Sequence, residues 1–450
     1  MSVHKPDPLD LLDALITKAR AAGADAADCV YIARESQSVS VRLGLQEGLD
    51  RSETVDVGLR VFIGQSQAFA ASSDLGARAL DQMVTAAMDM ARASPEDEFA
   101  GLAPAGRLYQ PADTQIELAD TARPSAEADI ARALAAEDAA RAVPGVSNSQ
   151  GASAGWSASS VALATSHGFS GVKSSTSYSI SAAVLAQSDA GMERDYAASS
   201  KRFFADLDSP ENIGQEAGDR ATARLNPQSL KTGAMPIVFD RRVSAGLVSQ
   251  FASAINASSI ARGTSFLRAK MGQQVFGSKI NIIDDPHRQR GLRTRLFDGE
   301  GVATQTLPLI KDGVLQSWLL DSATARQLKL ETTGHAARGT GGPPSPSASN
   351  LYMEAGAARF EDLLAGIKTG FYITEMIGMG VNPITGDYSR GASGFAIING
   401  ALAHPVSGLT VAGNLNDMFM NLTAADDLEF RYGTDAPTVR IDGMTVAGEA

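Results

Sequence analysis

The chain has 450 residues, which at about 150 residues per domain indicates two or three domains with sizeable cores. Hydrophobic residues make up 44% and charged residues 20%, which excludes a disordered or collagen-like chain. The net charge of −12 repels phosphate backbones and anionic membrane surfaces, so we expect no nucleic acid and no membrane as a direct ligand. Cys29, the one cysteine, cannot form an internal disulfide, and no apolar run approaches the ~18 residues of a membrane span, so we expect a cytoplasmic protein.

The N-terminal third predicts a helix, a meander of strands and a second helix. Asp7-Pro8 is typical of a helix start, and Gly23 of its end. Alternating apolar residues and short turns then predict three antiparallel strands, at 39–45, 55–63 and 68–71. We expect a polar bend at 46–52 between the first two strands. Ser72-Ser73-Asp74 predicts the cap of the second helix.

The central part predicts one more helix and more sheet. A helix follows Pro124-Ser125, and residues 157–200 alternate as in antiparallel strands. Beyond residue 225, a buried strand at 236–239 precedes a helix that we place at 243–260. Turn-forming pairs then predict three hairpins, at Asp312-Gly313, Asn399-Gly400 and Asp442-Gly443.

These patterns predict an α+β fold and exclude a doubly wound parallel sheet. We divide the chain into an N-terminal helix-and-meander domain at 1–112, a central helix with antiparallel sheet packed with it at 113–224, and a C-terminal domain at 225–450. The C-terminal domain is predicted to be largely antiparallel β with short helices. The Gly- and Pro-rich segment 331–350 is either a mobile functional loop or a surface linker.

Several short strings match part of a catalytic or nucleotide-binding motif, but the rest of each motif or the sequence around it does not fit. Gly151–Gly155 matches a nucleophile elbow around Ser153, but strand-like sequence follows where a helix is needed. Gly272–Lys279 has the serine and lysine of a phosphate-binding loop in reverse order, and Gly378-Met379-Gly380 lacks the third glycine of a dinucleotide fingerprint. We therefore expect neither a serine hydrolase nor a nucleotide site.

The five histidines do not form a zinc motif by spacing. They are not separated by three, four or five residues, so no helix presents two imidazoles to one metal. His335 in the Gly-rich segment and His287 beside Asp284-Asp285 remain the two to follow. Sharing of one metal between distant loops stays open.

The densest polar cluster lies at 378–394. It places a carboxylate, a phenol, a hydroxyl and a guanidinium side by side, flanked by glycines that permit close backbone approach; the candidate substrate-binding residues are Asp387, Tyr388, Ser389, Arg390, Gly391 and Gly394. The alternative is a long hairpin connection in which Asp387 and Arg390 only pair with each other.

Strings along the whole chain resemble the TldD/PmbA family. The C-terminal strings are Gly370–Glu375, Gly386–Gly391, Phe395–Gly400, Thr410–Leu415 and Ile441–Thr445. The strings that agree with them further upstream are Val41-Arg42, Ser72–Leu75, Ala261–Ser265, Asp285-Pro286 and Phe297–Val302.

The resemblance is to one of two branches of that family. The TldD branch is similar to zinc peptidases and carries a His-Glu-x-x-x-His helix with a downstream cysteine ligand. Here the corresponding helix, at 243–256, has neither His nor Glu, and Cys29 lies at the other end of the chain. The resemblance therefore implies the PmbA/TldE branch, with no catalytic residue and no metal or other cofactor in this chain.

For function, the resemblance implies a subunit of a heterodimeric protease whose TldD-like zinc-bearing partner cuts unfolded peptides. Family members are linked to peptide-antibiotic maturation, antitoxin turnover and DNA gyrase modulation. An extended peptide can add to a free strand edge, and we expect that edge at 386–391 and 394–399. The alternatives are a stand-alone homodimeric peptide-binding or adaptor protein, and an autonomous hydrolase that uses Ser153 or the Asp387/Ser389 pair.

Overall fold

The first half of the protein is built on one long antiparallel sheet. The computed structural model describes residues 7–111 and 116–448. In chain order the first half contains α1 (Pro8–Ala21), β1 (Ala26–Arg42), β2 (Leu45–Ile63), β3 (Ser66–Ser72), α2 (Ala77–Ala93), α3 (Ala126–Ala142), β4 (Val146–Thr165), β5 (Ser170–Ser188), β6 (Gly191–Lys201) and α4 (Pro210–Ala223). The sheet order is β3-β2-β1-β4-β5-β6. Because β1 pairs with β4, the segments predicted as the first two domains share this sheet. The predicted boundary at 112–113 lies outside the described residues.

All four helices cover the same face of this sheet. Alternate residues of β1 face the helices, with Cys29 and Tyr31 in the cluster under α1 and α2, and Val39 and Val41 in the cluster under α3 and α4. The predicted helix starts at Asp7 and Ser125 are confirmed, since both side chains accept a hydrogen bond from the first turn. The opposite face, with Val30 and Leu163, packs on the second half of the chain.

Two local predictions for this half are wrong. Residues 46–52 are not a bend, since they continue β2 in register with β1. The reversal occurs at Leu43-Gly44, where φ is 52° and 78°, because a two-residue turn with positive φ matches the twist of the paired strands. The second helix begins at Ala77 after Gly76, so Ser72–Asp74 does not cap it.

The second half of the chain folds around a small closed barrel. Its elements are β7 (Gly233–Phe239), α5 (Arg241–Ala254), α6 (Ala257–Ala261), β8 (Ile282–Asp284), β9 (Leu307–Lys311), β10 (Val314–Leu315), α7 (Ser322–Leu328), β11 (Ala336–Ala337), β12 (Ser345–Pro346), β13 (Leu351–Met353), α8 (Phe360–Leu364), β14 (Thr369–Ile377), β15 (Asp387–Ile398), β16 (Ala401–Asn414), α9 (Leu415–Met420), β17 (Leu422–Ala424), β18 (Thr434–Asp435) and β19 (Val439–Ala447). The barrel sheet runs β16-β15-β14-β7-β19-β17, and pairing of β16 with β19 closes it. A second sheet, β10-β9-β8-β13-β18, lies beside it.

Helix α5 packs against the barrel through an aromatic core. Phe251 lies with its ring edge toward Phe276, and Phe276 stacks on Phe419 at 4.4 Å between ring centroids. The predicted helix at 243–260 is two helices. The first, α5, ends at Ala254, and the side chain of Asn256 caps the start of α6. The predicted α+β class is confirmed.

Two of the three predicted hairpins are confirmed. Asp312-Gly313 joins β9 to β10 and Asn399-Gly400 joins β15 to β16, all four residues having positive φ. Asp442-Gly443 is instead an interruption within β19, where the register with β7 shifts. The positive φ of Gly443, 84°, serves a β-bulge there, and such bulges bend the strands that close a barrel.

The segment 331–350 is packed rather than a surface linker. It holds the short pair β11–β12, and His335, Ser349 and Asn350 are almost fully buried. The backbone N–H of Ala336 donates to Asp298, so the segment is tied to the neighbouring loop. In the described part of the chain, no helix is long and apolar enough to span a membrane.

Candidate functional site

The polar cluster predicted to bind substrate lies in and beside barrel strand β15. This strand pairs with β16 from Asp387 to Ile398, and with β14 only from Gly391 to Ile398. The second edge at 387–390 is covered by the preceding segment, since Ser389 N–H donates to the Gly380 carbonyl oxygen and Asn382 N–H to that of Asp387. The expectation of a free strand edge at 386–399 is therefore wrong, because both sides of the strand are already hydrogen-bonded. Any peptide that meets this segment must contact side chains.

Asp387 and Ser389 are exposed on one face of β15, whereas the partly buried Arg390 lies on the other face, beside Tyr388. Asp387 accepts hydrogen bonds from Thr385 Oγ1 at 2.6 Å and Asn414 Nδ2 at 3.0 Å, and these bonds lower the pKa of its carboxyl. Arg390 Nε donates to the Gly378 carbonyl oxygen at 2.9 Å, so the two residues have different partners rather than each other. This arrangement leaves charged groups accessible on a rigid strand.

Tyr388 points the opposite way, into the barrel core. It is 3% exposed, and burial raises the pKa of its phenol to about 12. Gly391 pairs with Ile377 of β14 and Thr410 of β16. Of the six predicted site residues, only Asp387 and Ser389 therefore share an exposed face of the strand, while Arg390 lies beside Tyr388, which packs in the core.

Gly394 has a structural reason to be glycine. A Cβ at this position would lie 1.9 Å from the carbonyl oxygen of Tyr372, where β14 bulges against β15. We expect Gly394→Ala to lower the free energy of unfolding by about 2 kcal/mol or more, since one of the two strands must move. Chemical denaturation measures this change.

Gly246→Ala is the matched control for that prediction. A Cβ at Gly246, in the middle of α5, would have no heavy atom within 4 Å. Because alanine is the better helix former, this variant is expected to gain up to about 1 kcal/mol. Equal effects of the two substitutions would contradict the steric argument.

Helix α5 is the helix that the family resemblance aligns with the zinc-binding helix of the TldD branch. Asp240 caps it by accepting from the Arg242 backbone N–H, and Tyr372 donates a short hydrogen bond to the same carboxylate. The residues that α5 buries are Ser244, Leu247, Val248, Phe251 and Ala254. None of these side chains is a histidine, cysteine or carboxylate, so this face can pack but not ligate zinc.

A cluster of ion pairs surrounds the start of α5 and joins the two halves of the chain. Arg242 lies 3.1 Å from Asp195 of β6. Arg224, at the end of α4, lies 2.6 Å from Glu375 of β14, 3.4 Å from Glu193 and 3.6 Å from Asp195. Burial raises the pKa of Glu193, and Arg224 opposes that shift.

Sequence reasoning did not find this cluster. The only local signal is the spacing of Glu193 and Asp195, which places two carboxylates on one side of a strand. Their partners lie on α4, α5 and β14, far away in sequence. The cluster forms only when the sheet and the barrel pack together.

His335 and His287, the two histidines that the sequence favoured, have different hydrogen-bond partners. His335 Nε2 lies 3.2 Å from Asp284, and its Nδ1 lies 2.9 Å from Thr333 Oγ1. His287 Nε2 lies 3.1 Å from Thr304 Oγ1. Across residues 7–111 and 116–448, no three His, Cys, Asp or Glu side chains group closely enough to hold a metal ion.

Ser153 lies inside β4 rather than on a nucleophile elbow. Its Oγ is 2.9 Å from Ser181 Oγ of β5, and β4 pairs on both sides at this point. A nucleophile elbow requires a sharp strand-to-helix turn that exposes the hydroxyl. The geometry therefore excludes the elbow version of a hydrolase at Ser153.

The structure joins a helix-covered antiparallel sheet to a closed barrel, which makes it an α+β protein. Three family models match it in succession: PmbA/TldA metallopeptidase domain 1 at 27–91, the central domain at 119–225 and the C-terminal domain at 232–448. The chain belongs to the PmbA/TldD metallopeptidase family, which confirms the resemblance found in the sequence.

Relatives along almost the whole length agree with this assignment. The metalloprotease PmbA of Escherichia coli O157:H7 is 36% identical over 92% of this chain and 90% of its own. The crystal structure of a proposed modulator of DNA gyrase from Bacteroides thetaiotaomicron superposes with a TM-score of 0.89, at 26% identity over 98% of both chains. TldE from Thermococcus kodakarensis shares the fold, with a TM-score of 0.86 at 19% identity over 97% of this chain and 99% of its own.

Proposed function

We propose that this chain is the non-catalytic, PmbA/TldE-like subunit of a heterodimeric zinc metallopeptidase that processes unfolded peptides. The observation that carries the proposal is the composition of α5. Its fourteen residues, Arg241–Ala254, include no histidine, cysteine, aspartate or glutamate. A peptidase zinc site needs three protein ligands and a general base, so the zinc belongs to a TldD-like partner.

The substrate contact that we propose for this subunit uses the side chains of Asp387, Ser389 and Arg390. These residues lie on a strand that pairs with β16 on one side and is hydrogen-bonded to residues 380–382 on the other, so a peptide meets fixed charges rather than a flexible loop. Opposite charges at Asp387 and Arg390 can bind peptides with little dependence on sequence. Peptide-antibiotic maturation, antitoxin turnover and a protein-mediated effect on DNA gyrase are functions of this type.

The test compares this chain alone, a His-Glu-x-x-x-His paralogue alone and their equimolar mixture. Zinc content, molar mass by light scattering and cleavage of an unstructured peptide are measured for each. We expect this chain alone to be inactive and without stoichiometric zinc. The mixture is expected to form a one-to-one complex and to cleave at least ten times faster than the paralogue alone.

Stoichiometric zinc or cleavage by this chain alone would overturn the proposal. A homodimer that ignores the paralogue would favour the adaptor alternative. Within an active mixture, Asp387→Asn with Arg390→Met should lower kcat/KM about tenfold if these side chains bind substrate. Lys231→Met, an exposed substitution elsewhere, serves as the control.

We also propose a cytoplasmic location, supported by the single and fully buried Cys29. Burial raises the pKa of this thiol strongly, which keeps it in the unreactive protonated form. Detection of the chain in the soluble cytoplasmic fraction of its own cells tests the location.

A further inference from the structure

A cavity lined by positive charge lies between the first sheet and the second half of the chain. Its volume is about 280 Å³, and its walls come from β4, β5 and the segments that contain Arg202, Arg295 and Ser347. Pockets for drug-sized ligands are usually about 300–1,000 Å³, so this cavity suits one or two amino-acid residues. We call it the cationic cavity.

The charges that line the cationic cavity all have one sign. They are Lys173, Arg202, Arg293 and Arg295, and among the described residues no aspartate or glutamate lines it. The whole chain carries a net charge of −12, so this concentration of four cations runs against the average field. Four unneutralised cations in one partly enclosed space favour an anion there.

Two of the guanidinium groups that line this cavity each have a buried Nε without a hydrogen-bond partner. Arg202 is 5% exposed; its terminal nitrogens donate to the carbonyl oxygens of Thr176 and Gly291, but its buried Nε has no partner. Arg295 donates to the Ser347 carbonyl oxygen at 2.7 Å, and its buried Nε is also without a partner. A buried charged donor left unpaired is costly, which favours a ligand that supplies oxygen acceptors.

Lys173 adds an ammonium group that forms no ion pair with a carboxylate among the described residues. Its Nζ lies 5.1 Å from the centre of the Phe297 ring. Burial and the neighbouring Arg295 lower the pKa of Lys173 to about 8. Asp298 is the carboxylate whose charge raises the pKa of Lys173. It already accepts hydrogen bonds from the backbone N–H groups of Glu300, Val302 and Ala336.

A second cavity of about 200 Å³ adjoins the first, since Val161, Lys173 and Arg295 line both. Its walls combine the apolar side chains of Val30, Ile32, Leu163 and Phe297 with charged side chains, those of Arg34, Asp298 and Arg338 besides the shared Lys173 and Arg295. We call it the apolar cavity after its four large apolar side chains. A space whose charged lining is all cationic therefore adjoins a space that offers contacts to a hydrocarbon group.

We propose that the two cavities together bind the C-terminal residue of a short peptide, with its carboxylate in the cationic cavity and an apolar side chain in the apolar cavity. This proposal rests on the peptide-processing function proposed above and names the end of the peptide that this subunit holds. A planar carboxylate matches the paired N–H groups of arginine. A phosphate would use the cations but not the adjoining apolar cavity.

The test is calorimetric titration of the full chain, without a partner, at pH 7. The probes are acetyl-Gly-Gly-Leu with a free carboxylate, the same peptide as its C-terminal amide, acetyl-Gly-Gly-Asp with a free carboxylate, and inorganic phosphate. We expect the leucine acid to bind at least tenfold more tightly than its amide and more tightly than the aspartate peptide.

The variant Lys173→Met separates a binding role from a structural one. It is expected to weaken binding of the leucine acid about tenfold. It is also expected to raise Tm at pH 7, because the lowered pKa means that the protonated amine is less stable in the fold than in water. Lys231→Met, which removes an exposed lysine, should change neither quantity.

Each other outcome overturns the proposal. These outcomes are the absence of binding by the leucine acid, equal binding of acid and amide, tighter binding of phosphate than of any peptide, and unchanged affinity in a folded Lys173→Met chain. Because no cleavage is measured, the result is independent of the zinc partner. A chain that binds the acid but does not support cleavage would refute the subunit proposal alone.

Discussion

Replacing Asp28 by asparagine is expected to lower the free energy of unfolding by about 3–5 kcal/mol. Asp28 of β1 is 1% exposed and neutralises two buried guanidinium groups at once. Arg60 of β2 donates to it from Nε at 2.9 Å, and Arg338 of the 331–350 segment lies 2.5 Å away. Asparagine keeps the shape of the side chain but leaves two buried cations without an anion.

The loss of stability caused by Asp28→Asn should become smaller at low pH. Burial raises the pKa of Asp28, but Arg338 and Arg60 outweigh it, so the pKa in the folded protein is below its usual range. A carboxyl of this kind stabilises the fold above its unfolded pKa, near 4, and loses that contribution as the pH falls through the folded value. The difference between wild type and Asp28→Asn should therefore narrow below pH 4.

Urea denaturation at pH 7 and at pH 3 measures both effects. The matched control is Asp81→Asn, which breaks the exposed pair of Asp81 with Lys18. This control should stay within about 0.5 kcal/mol of wild type. If the two variants lost equal stability at pH 7, the buried ion cluster would not hold the sheet to the second half of the chain.

Replacing Arg224 by methionine is expected to cost about 3 kcal/mol. Arg224 has 7% of its side chain exposed and lies within 4 Å of three carboxylates, those of Glu193, Asp195 and Glu375. Methionine fills similar space but removes the charge. Three carboxylates then repel one another at the junction between sheet and barrel.

In this variant the stability difference from wild type also narrows on acidification, but the cause is a raised pKa rather than a lowered one. Burial already raises the pKa of Glu193, and loss of Arg224 removes a charge that lowers this pKa. A carboxyl with a raised folded pKa destabilises the fold at high pH and less as the pH falls. The difference between Arg224→Met and wild type should thus narrow as the pH falls from neutral towards the ordinary glutamate pKa, near 4.

Denaturant curves across that pH range check this expectation. Arg359→Met is the control, since Arg359 and its partner Glu361 have side chains that are 75% and 73% exposed. We expect it to change stability by less than about 0.5 kcal/mol. If the stability difference between Arg224→Met and wild type increased on acidification, the three carboxylates would not be repelling one another.

Local patterns predicted most of the individual elements. The helix starts at Asp7 and Ser125, the strands of the first sheet and the turns at Asp312-Gly313 and Asn399-Gly400 depend on a few neighbouring residues, so they are visible in the chain itself. Asp442-Gly443 shows the limit of that reasoning. The same positive φ serves a hairpin turn or a bulge, and only pairing with β7 decides between them.

The candidate functional sites show the limit of local sequence patterns more strongly. The cluster at 387–390 was predicted to lie at a free strand edge, yet β16 pairs with one side of it and residues 380–382 bond the other. The charged junction at Arg224 and the cationic cavity were not predicted at all. Their members come from strands and segments separated by up to about two hundred residues, and no periodicity connects them.

The sequence by itself determined the family, the α+β class and the lack of zinc ligands in α5, because each depends on residue types in short, recognisable order. Tertiary structure alone decided which charges are neutralised. Pairing of β1 with β2 brings Asp28 beside Arg60, and packing of the second half of the chain on the sheet adds Arg338 to the same carboxylate. Lys173, Arg202 and Arg295 instead face a cavity that no carboxylate lines among the described residues. Electrostatic energy depends on distance and burial, and both exist only after the chain has folded.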